Sequence, residues 1–108
     1  MPHDPKLAER MRRGLRNRKN IVEKKMFGGF CWMLDGNMLC GVEVGRYMFR
    51  VGKEREAEAL ERPGARPMDI TGKPMRGFVW VSAQHAQGRQ LASWIKLAEQ
   101  YVSSLPAK

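Results

Sequence analysis

The sequence predicts an α+β fold: a two-layer domain with an antiparallel sheet and helices packed on one of its faces. Amphipathic helical patterns stand at both ends of the chain, short apolar segments lie between them, and tight turns join these segments. The expected order, α-β-β-β-(α)-β-α, contains hairpins and no alternation of strands with crossover helices. We expect the 108 residues to form one domain, spanning 1–108.

The first element is predicted to be an amphipathic helix from Pro5 to about Asn17. Asp4 suits the N-cap position and Pro5 the first helical position, where a backbone N–H has no helical partner. One side of this helix repeats apolar residues every four positions, namely Leu7, Met11 and Leu15. The opposite side is cationic and carries Lys6, Arg10, Arg12, Arg13 and Arg16.

Strands follow, and the clearest signal among them is a β-hairpin. Asp35-Gly36 stands between two apolar segments, and a type I′ turn needs residues that accept positive φ at both central positions. The hairpin strands are predicted at Phe30–Leu34 and Met38–Val44. An optional first strand at Val22–Met26 precedes them, and a strand at Tyr47–Val51 follows.

The second half of the chain is predicted to contain two helices and one clear strand. A short charged helix is expected over Lys53–Arg62, followed by a loop over Ala65–Pro74 with an optional strand at Met68–Ile70. A strand is expected at Gly77–Ser82. From Arg89 onward, an apolar stripe at i, i+3, i+4 and i+7 predicts a second helix that faces the core.

The hairpin register determines where the two cysteines lie. With a two-residue loop, Cys31 is directly opposite Cys40, at a separation that permits a disulfide. In a reducing cytosol such a pair stays as core thiols, and the alternatives are a redox pair or a metal site. Without a nearby histidine, two cysteines form a poor zinc site.

Alternation along the strands predicts the composition of each sheet face. The face against the helices is expected to hold Cys31, Met33, Met38, Cys40, Val42, Phe49 and Val51. With the helices and later strands, the predicted core is Leu7, Met11, Leu15, Met33, Cys40, Val42, Phe49, Val51, Val79, Val81, Leu91, Trp94, Ile95 and Ala98. The outer face is expected to carry an apolar patch of Phe30, Trp32, Leu34, Leu39 and Met48. Either a helix or loop covers this patch, or it is an interface, most simply with a second copy in a homodimer.

The sequence contains few candidates for catalytic residues. His3 and His85 are interpreted as surface residues, and the three aspartates as a cap, a turn and a loop residue. Gly28-Gly29 lacks the spacing of a phosphate-binding loop. We therefore predict no catalytic residue, no cofactor and no metal. No apolar run reaches the roughly 18 residues of a membrane span, so we expect a cytoplasmic protein without a membrane partner.

The net charge of +9 is concentrated near the N-terminus, where residues 6–25 hold nine basic side chains and two acidic ones. The cationic side of the first helix, which carries Lys6, Arg10, Arg12, Arg13 and Arg16, is therefore the candidate for weak, nonspecific contact with DNA phosphates. The alternative is an ordinary solvated helix exterior. Nothing in the sequence resembles a recognition helix that reads bases.

Several segments together resemble one family. A Met26-Phe27-Gly28-Gly29 start, the hairpin, a third strand at Arg46–Gly52, the Met75–Val79 segment and a Leu105–Lys108 end are similar to the small stand-alone members of the TfoX/Sxy competence regulators, in their N-terminal domain. The resemblance covers about Ile21 to Lys108.

This resemblance implies a secretion-chaperone-like α+β fold and a regulatory function without catalysis. TfoX/Sxy proteins are positive regulators of competence genes that act with an activator of the cyclic-AMP receptor type. The expected function is thus an accessory factor in transcription, with a transcription-factor partner, acting through protein contacts and weak DNA contact. The alternative is a dimeric adaptor with no nucleic-acid function.

Overall fold

Three α-helices and six strands make up the described part of the chain, which in the computed structural model is residues 5–26, 29–70 and 72–107. The helices are α1 (Pro5–Gly14), α2 (Glu56–Leu60) and α3 (Arg89–Val102). The strands are β1 (Ile21–Met26), β2 (Gly29–Leu34), β3 (Asn37–Glu43), β4 (Arg46–Arg50), β5 (Ala65–Ile70) and β6 (Lys73–Ser82). Short 3₁₀ turns precede α2 and follow β6. The predicted Asp4 cap, His3 and Gly28 lie outside the described residues.

All six strands pair antiparallel in one open sheet, in the order β1-β2-β3-β4-β6-β5. The helices contribute to one apolar core on a single face of this sheet. The predicted α+β fold is therefore confirmed. Positive φ values at Asp35 (51°) and Gly36 (83°) also confirm the tight turn between β2 and β3.

The loop predicted over residues 65–74 is wrong, because these residues form most of a hairpin. Strand β5 occupies Ala65–Ile70, and β6 begins at Lys73 instead of Gly77. Pro67 and Pro74 are unfavourable in a central strand, since proline cannot donate to a strand ladder. Pro67 is tolerated because β5 is an edge strand, with only β6 as its neighbour.

A β-bulge separates the two halves of β3. Near the turn, Met33 pairs with Met38 as predicted, but Trp32 pairs with Cys40, so Leu39 is the extra residue. In a strand without a bulge, Cys40 and Val42 would lie on the same face as Met38. Because of the bulge, they lie on the opposite face. Leu39 and Cys40 both join the core, with exposures of 0%.

The predicted outer patch is consequently wrong, because most of its members lie on the face that the helices cover. Trp32, Leu34 and Leu39 are buried in the core, and Phe30 packs at its margin. Among the predicted patch residues, Met48 faces outward. The predicted helix-facing side is also wrong for three residues. Because of the bulge, the outer face of the sheet carries Cys31, Met33 and Met38.

The two cysteines lie on opposite faces of the sheet, so the prediction that they face each other is wrong. Cys31 pairs with Gly41, one position away from Cys40 on the neighbouring strand. Both thiols are free and buried. Burial raises the pKa of both, so both stay protonated near neutral pH. The Cys40 sulfur lies 3.8 Å from the Met11 sulfur of α1.

The core is centred where α3 crosses β3 and β4. Phe49 stacks on Trp94 with ring centroids 5.4 Å apart, and both side chains are almost completely buried. Tyr47 is also fully buried, and its hydroxyl donates a 2.6 Å hydrogen bond to the Leu7 carbonyl of α1. The predicted core residues are confirmed except for Met33. The core also contains Trp32, Leu39 and Tyr47, which were not among the core residues predicted from the sequence.

Truncation of Trp94 tests this core. We expect Trp94→Ala to lower the free energy of unfolding by about 3–5 kcal/mol, because it removes a buried ring that stacks on Phe49. The control is Val22→Ala, at a side chain 54% exposed on the edge strand, which should change stability by less than about 0.5 kcal/mol. Urea denaturation measures both. Equal midpoints for the two variants would contradict the packing.

The bulge predicts the outcome of oxidation. Because Cys31 and Cys40 lie on opposite faces, a mild oxidant should leave the folded protein without an internal disulfide. Mass spectrometry should show both thiols still reactive toward an alkylating reagent once the oxidised sample is unfolded. The control is oxidation in denaturant, where a bridge can form. Loss of two hydrogens from the folded chain would show that the register without a bulge is populated.

Candidate functional site

Two of the five cations predicted for DNA contact, Arg10 and Arg12, bond to other elements of the fold. Lys6, Arg13 and Arg16 are exposed on the side of α1 and its following turn that faces away from the core. We call these three residues the basic helix surface. Glu9 is also exposed on this side. Arg13 lies in the last turn of α1, where a cation interacts favourably with the helix dipole.

Arg10 lies at one margin of the basic helix surface and bonds to backbone. Its guanidinium donates to the carbonyl oxygens of Ala83 and Ala86, at 3.0 and 3.2 Å. These carbonyls belong to the 3₁₀ turn after β6 and the residue that follows it. Arg10 therefore joins α1 to the segment between β6 and α3, and its donors are only partly available to a ligand.

Arg12 lies at the other margin and forms a bidentate ion pair with Glu23 of β1. The two N–O distances are 2.7 and 3.0 Å, and Glu23 also accepts a 3.2 Å bond from the Trp32 indole. The hydrogen bond from Arg12 holds the pKa of Glu23 below its ordinary value. In turn, the bond to Glu23 raises the pKa of Arg12. Arg12 also lies 5.5 Å from the Phe30 ring centroid, so it fixes α1 to the sheet.

Arg18, which sequence analysis did not single out, has a similar structural function. It forms a two-bond ion pair with Glu99 of α3, at 3.0 and 3.3 Å, and donates to the Gly14 carbonyl at 3.1 Å. Its spacing from Glu99 in the sequence gave no signal, because the pair forms only when α1 packs beside α3. Some of the basic residues near the N-terminus, namely Arg10, Arg12 and Arg18, therefore hold α1 against the rest of the fold.

The second candidate surface is a groove of about 530 Å³ on the outer face of the sheet. We call it the methionine groove. Its lining comes from five strands and includes these apolar residues of the outer face: Cys31, Met33, Met38, Met48, Met68, Met75, Phe78 and Trp80. Cys31, Met48 and Met68 are buried at its floor. A groove of this size is in the range of ligand and partner-binding clefts.

Gly41 allows the floor of the methionine groove to close. A Cβ atom at this position would lie 3.2 Å from the Cys31 sulfur and 3.3 Å from the terminal carbon of Met48. These distances are tight, so glycine lets side chains from β2 and β4 approach each other across β3. The methionine groove was not predicted from the sequence, because its residues are far apart in the chain and because the bulge was not predicted.

Two arginines border the methionine groove and lie on its aromatic rings. The Arg46 guanidinium lies 3.6 Å from the Trp80 ring centroid and forms a 2.8 Å ion pair with Glu43. Arg50 lies 5.4 Å from the Phe78 centroid and has no ion pair within the described residues. An arginine that stacks on a ring keeps donors for a carboxylate at the edge of the groove.

One serine and one histidine are close enough together to be considered as a catalytic pair. The Ser82 hydroxyl and His85 Nδ1 are 2.8 Å apart, across the 3₁₀ turn after β6. In the described part of the chain, no carboxylate bonds to His85 to orient it, as a catalytic triad requires. No cluster of three His, Cys, Asp or Glu residues suited to a metal occurs there either. The pair links neighbouring residues of one turn.

Membrane insertion has no support among the described helices, since none is long and apolar enough to span a bilayer.

The Arg12–Glu23 pair predicts a dependence of stability on pH. The pKa of Glu23 is lowered in the folded state, so its stabilisation is present above its unfolded pKa, about 4.3, and is lost as pH falls through the folded pKa. Glu23→Gln should therefore lose less stability than the parent between about pH 5 and about pH 3. The difference should stay below about 1 kcal/mol, because both partners are about one-third or more exposed.

Urea midpoints across this pH range measure the effect. The matched control is Glu58→Gln, which makes the same change in net charge at an exposed position of α2, outside the Arg12–Glu23 pair. A Glu23→Gln profile that coincides with the parent's would argue against the ion pair in solution.

Comparison with known proteins identifies the family. The family model of the TfoX N-terminal domain matches residues 13–101. No curated protein matches the chain, and no solved structure does. The matched region runs from the last turn of α1 to the end of α3 and includes all the described strands, the bulge and the methionine groove. It covers well over half of the chain, and the protein therefore belongs to the TfoX N-terminal domain family.

Proposed function

We propose that this protein is a non-enzymatic accessory factor in transcription and competence regulation, located in the cytoplasm. It acts through protein contacts and through weak, nonspecific contact with DNA. Family membership supports the regulatory part, because the TfoX N-terminal domain indicates a competence-related regulatory family that is not known as enzymatic. The observation that carries the DNA part is the basic helix surface.

The basic helix surface is suited to phosphates and not to base reading. Lys6, Arg13 and Arg16 point to solvent from a helix whose other side is buried against the sheet and α3. Each phosphate that they neutralise releases condensed counterions, so affinity falls with salt by a slope of about 0.9 per contact. Phosphate contacts position a protein on DNA without selecting a sequence. The DNA contact is therefore auxiliary to recognition by a partner.

The methionine groove favours a second candidate function, an adaptor without a nucleic-acid function. An apolar face of this kind on a sheet usually marks an interaction site. The homodimer expected from the sequence stays a prediction, and sedimentation measures it directly. The two candidate functions differ in one respect, namely whether the protein binds DNA.

Charge reversal on the basic helix surface tests the DNA contact. The variant Lys6→Glu/Arg13→Glu/Arg16→Glu should abolish binding to duplex DNA, which in the parent should have a Kd of roughly 10⁻⁴–10⁻⁶ M at physiological salt. Arg12 is left intact because its loss would break the Glu23 pair. Fluorescence anisotropy across a salt series measures both affinity and slope. Thermal melting should show that the variant remains folded.

A matched control separates local contact from overall charge. The variant Lys53→Glu/Arg89→Glu/Lys96→Glu makes the same change in net charge at exposed positions outside α1. It should retain most of the binding and most of the salt slope. If the parent fails to bind DNA even at low salt, the DNA part of the proposal is wrong. If both triple variants lose binding equally, the contact is not made by α1.

A further inference from the structure

We propose that the methionine groove is the docking site for an acidic amphipathic helix of a partner protein. The proposal rests on the protein-contact part of the proposed function and names the surface and the chemistry of that contact. It does not depend on the DNA contact, because the basic helix surface lies on the other side of the sheet.

The methionine groove is lined by apolar side chains of the kind found in a protein core. Helices cover one face of the sheet, whereas on the other face Met48 and Met68 are buried without a helix above them, in the described part of the chain. Met38 and Met75 are partly exposed at the sides of the groove. Methionine side chains are flexible and polarisable, which lets them adapt to the side chains of a bound helix.

The dimensions of the groove suit a short helix. Its lining extends from β2 to β5, which are four strand spacings apart, or about 19 Å. Three turns of an α-helix are about 16 Å long. Such a helix places apolar residues at i, i+3, i+4 and i+7 against the groove, as in other helix-in-groove complexes.

The charged residues around the methionine groove favour an acidic partner. Glu43 and Arg46 neutralise each other. Lys24 pairs in register with Cys31, and Arg66 with Trp80, so both cations extend on the outer face, at the two edges of the sheet. Together with Arg50 they form no ion pair within the described residues. Asp69 is the exposed carboxylate that lines the groove.

This excess of positive charge argues against a second copy as the occupant. In a two-fold dimer through the groove, the same surface patch meets itself, so the cations at the edges of one copy would approach those of the other. Like charges that meet across an interface disfavour association. A helix with glutamates along its margins would instead pair with Lys24, Arg50 and Arg66 while its apolar side covers the methionines.

A designed peptide pair tests the proposal with the full chain. The probe is a fluorescein-labelled helical peptide of about 14 residues, with leucines on one side and glutamates elsewhere. Its control is the same peptide with lysine in place of each glutamate. We expect the acidic peptide to bind at least about tenfold more tightly than the basic one at low salt, in anisotropy titrations.

Two variants then locate the binding site. Met38→Gln/Met75→Gln changes partly exposed residues of the groove and should weaken binding of the acidic peptide by about tenfold or more. Lys24→Glu/Arg50→Glu/Arg66→Glu should reverse the preference, so that the basic peptide becomes the tighter ligand. The control Lys53→Glu/Arg89→Glu/Lys96→Glu has the same change in net charge and should keep the preference of the parent. Thermal melting establishes that each variant is folded.

Several outcomes would overturn the proposal. It is wrong if neither peptide binds, or if the edge reversal leaves the preference unchanged. It is also wrong if sedimentation shows a dimer that Met38→Gln/Met75→Gln dissociates, because the occupant would then be a second copy. Binding of a fatty acid, and not of the peptide, would assign the groove to a small apolar ligand. The DNA measurement is separate, so loss of DNA binding with retained peptide binding would contradict only the DNA part of the proposed function.

Discussion

The β-bulge at Leu39 is the constraint on which the two faces of the sheet depend. Because β3 contains one residue more than β2 over the same length, Leu39 and Cys40 enter the core together, opposite Trp32. The next residue, Gly41, then faces outward and leaves room for Cys31 and Met48 to meet. The same irregularity thus completes the core and creates the floor of the methionine groove.

Arginines near the N-terminus connect elements that are far apart in the sequence. Arg12 pairs with β1, Arg10 with the turn after β6, and Arg18 with α3. Such exposed or half-exposed contacts each contribute little to stability. Together, however, they fix the orientation of a helix whose buried side consists mainly of Leu7, Met11 and Ala8.

The two candidate surfaces lie on different sides of one layer. The basic helix surface is carried by a helix on the covered face, and the methionine groove lies on the open face. A partner in the groove would therefore leave α1 accessible. The two proposed contacts are therefore sterically compatible with each other.

Local patterns in the sequence determined most of the elements. Asp35-Gly36 defined the hairpin turn through its backbone conformation, and periodicity defined α1, α3 and most of their buried residues. The charge of the N-terminal segment and the likeness to the TfoX N-terminal domain were also visible there. These features depend on neighbouring residues or on residues one helical turn apart, so a single sequence can reveal them.

The remaining features depend on strand pairing and packing, so only the tertiary structure decided them. The isolated Gly41 within β3 is a weak signal for a bulge or a close backbone approach, but it does not identify the inserted residue. One inserted residue reverses the faces of everything beyond it, which is why the cysteine pairing and the outer patch were wrongly predicted. Pro67 is acceptable in β5 because that strand lies at an edge, a fact set by the whole sheet. The use of Arg10, Arg12 and Arg18 in packing, and the assembly of the groove from five strands, depend on distant residues that meet only in the folded chain.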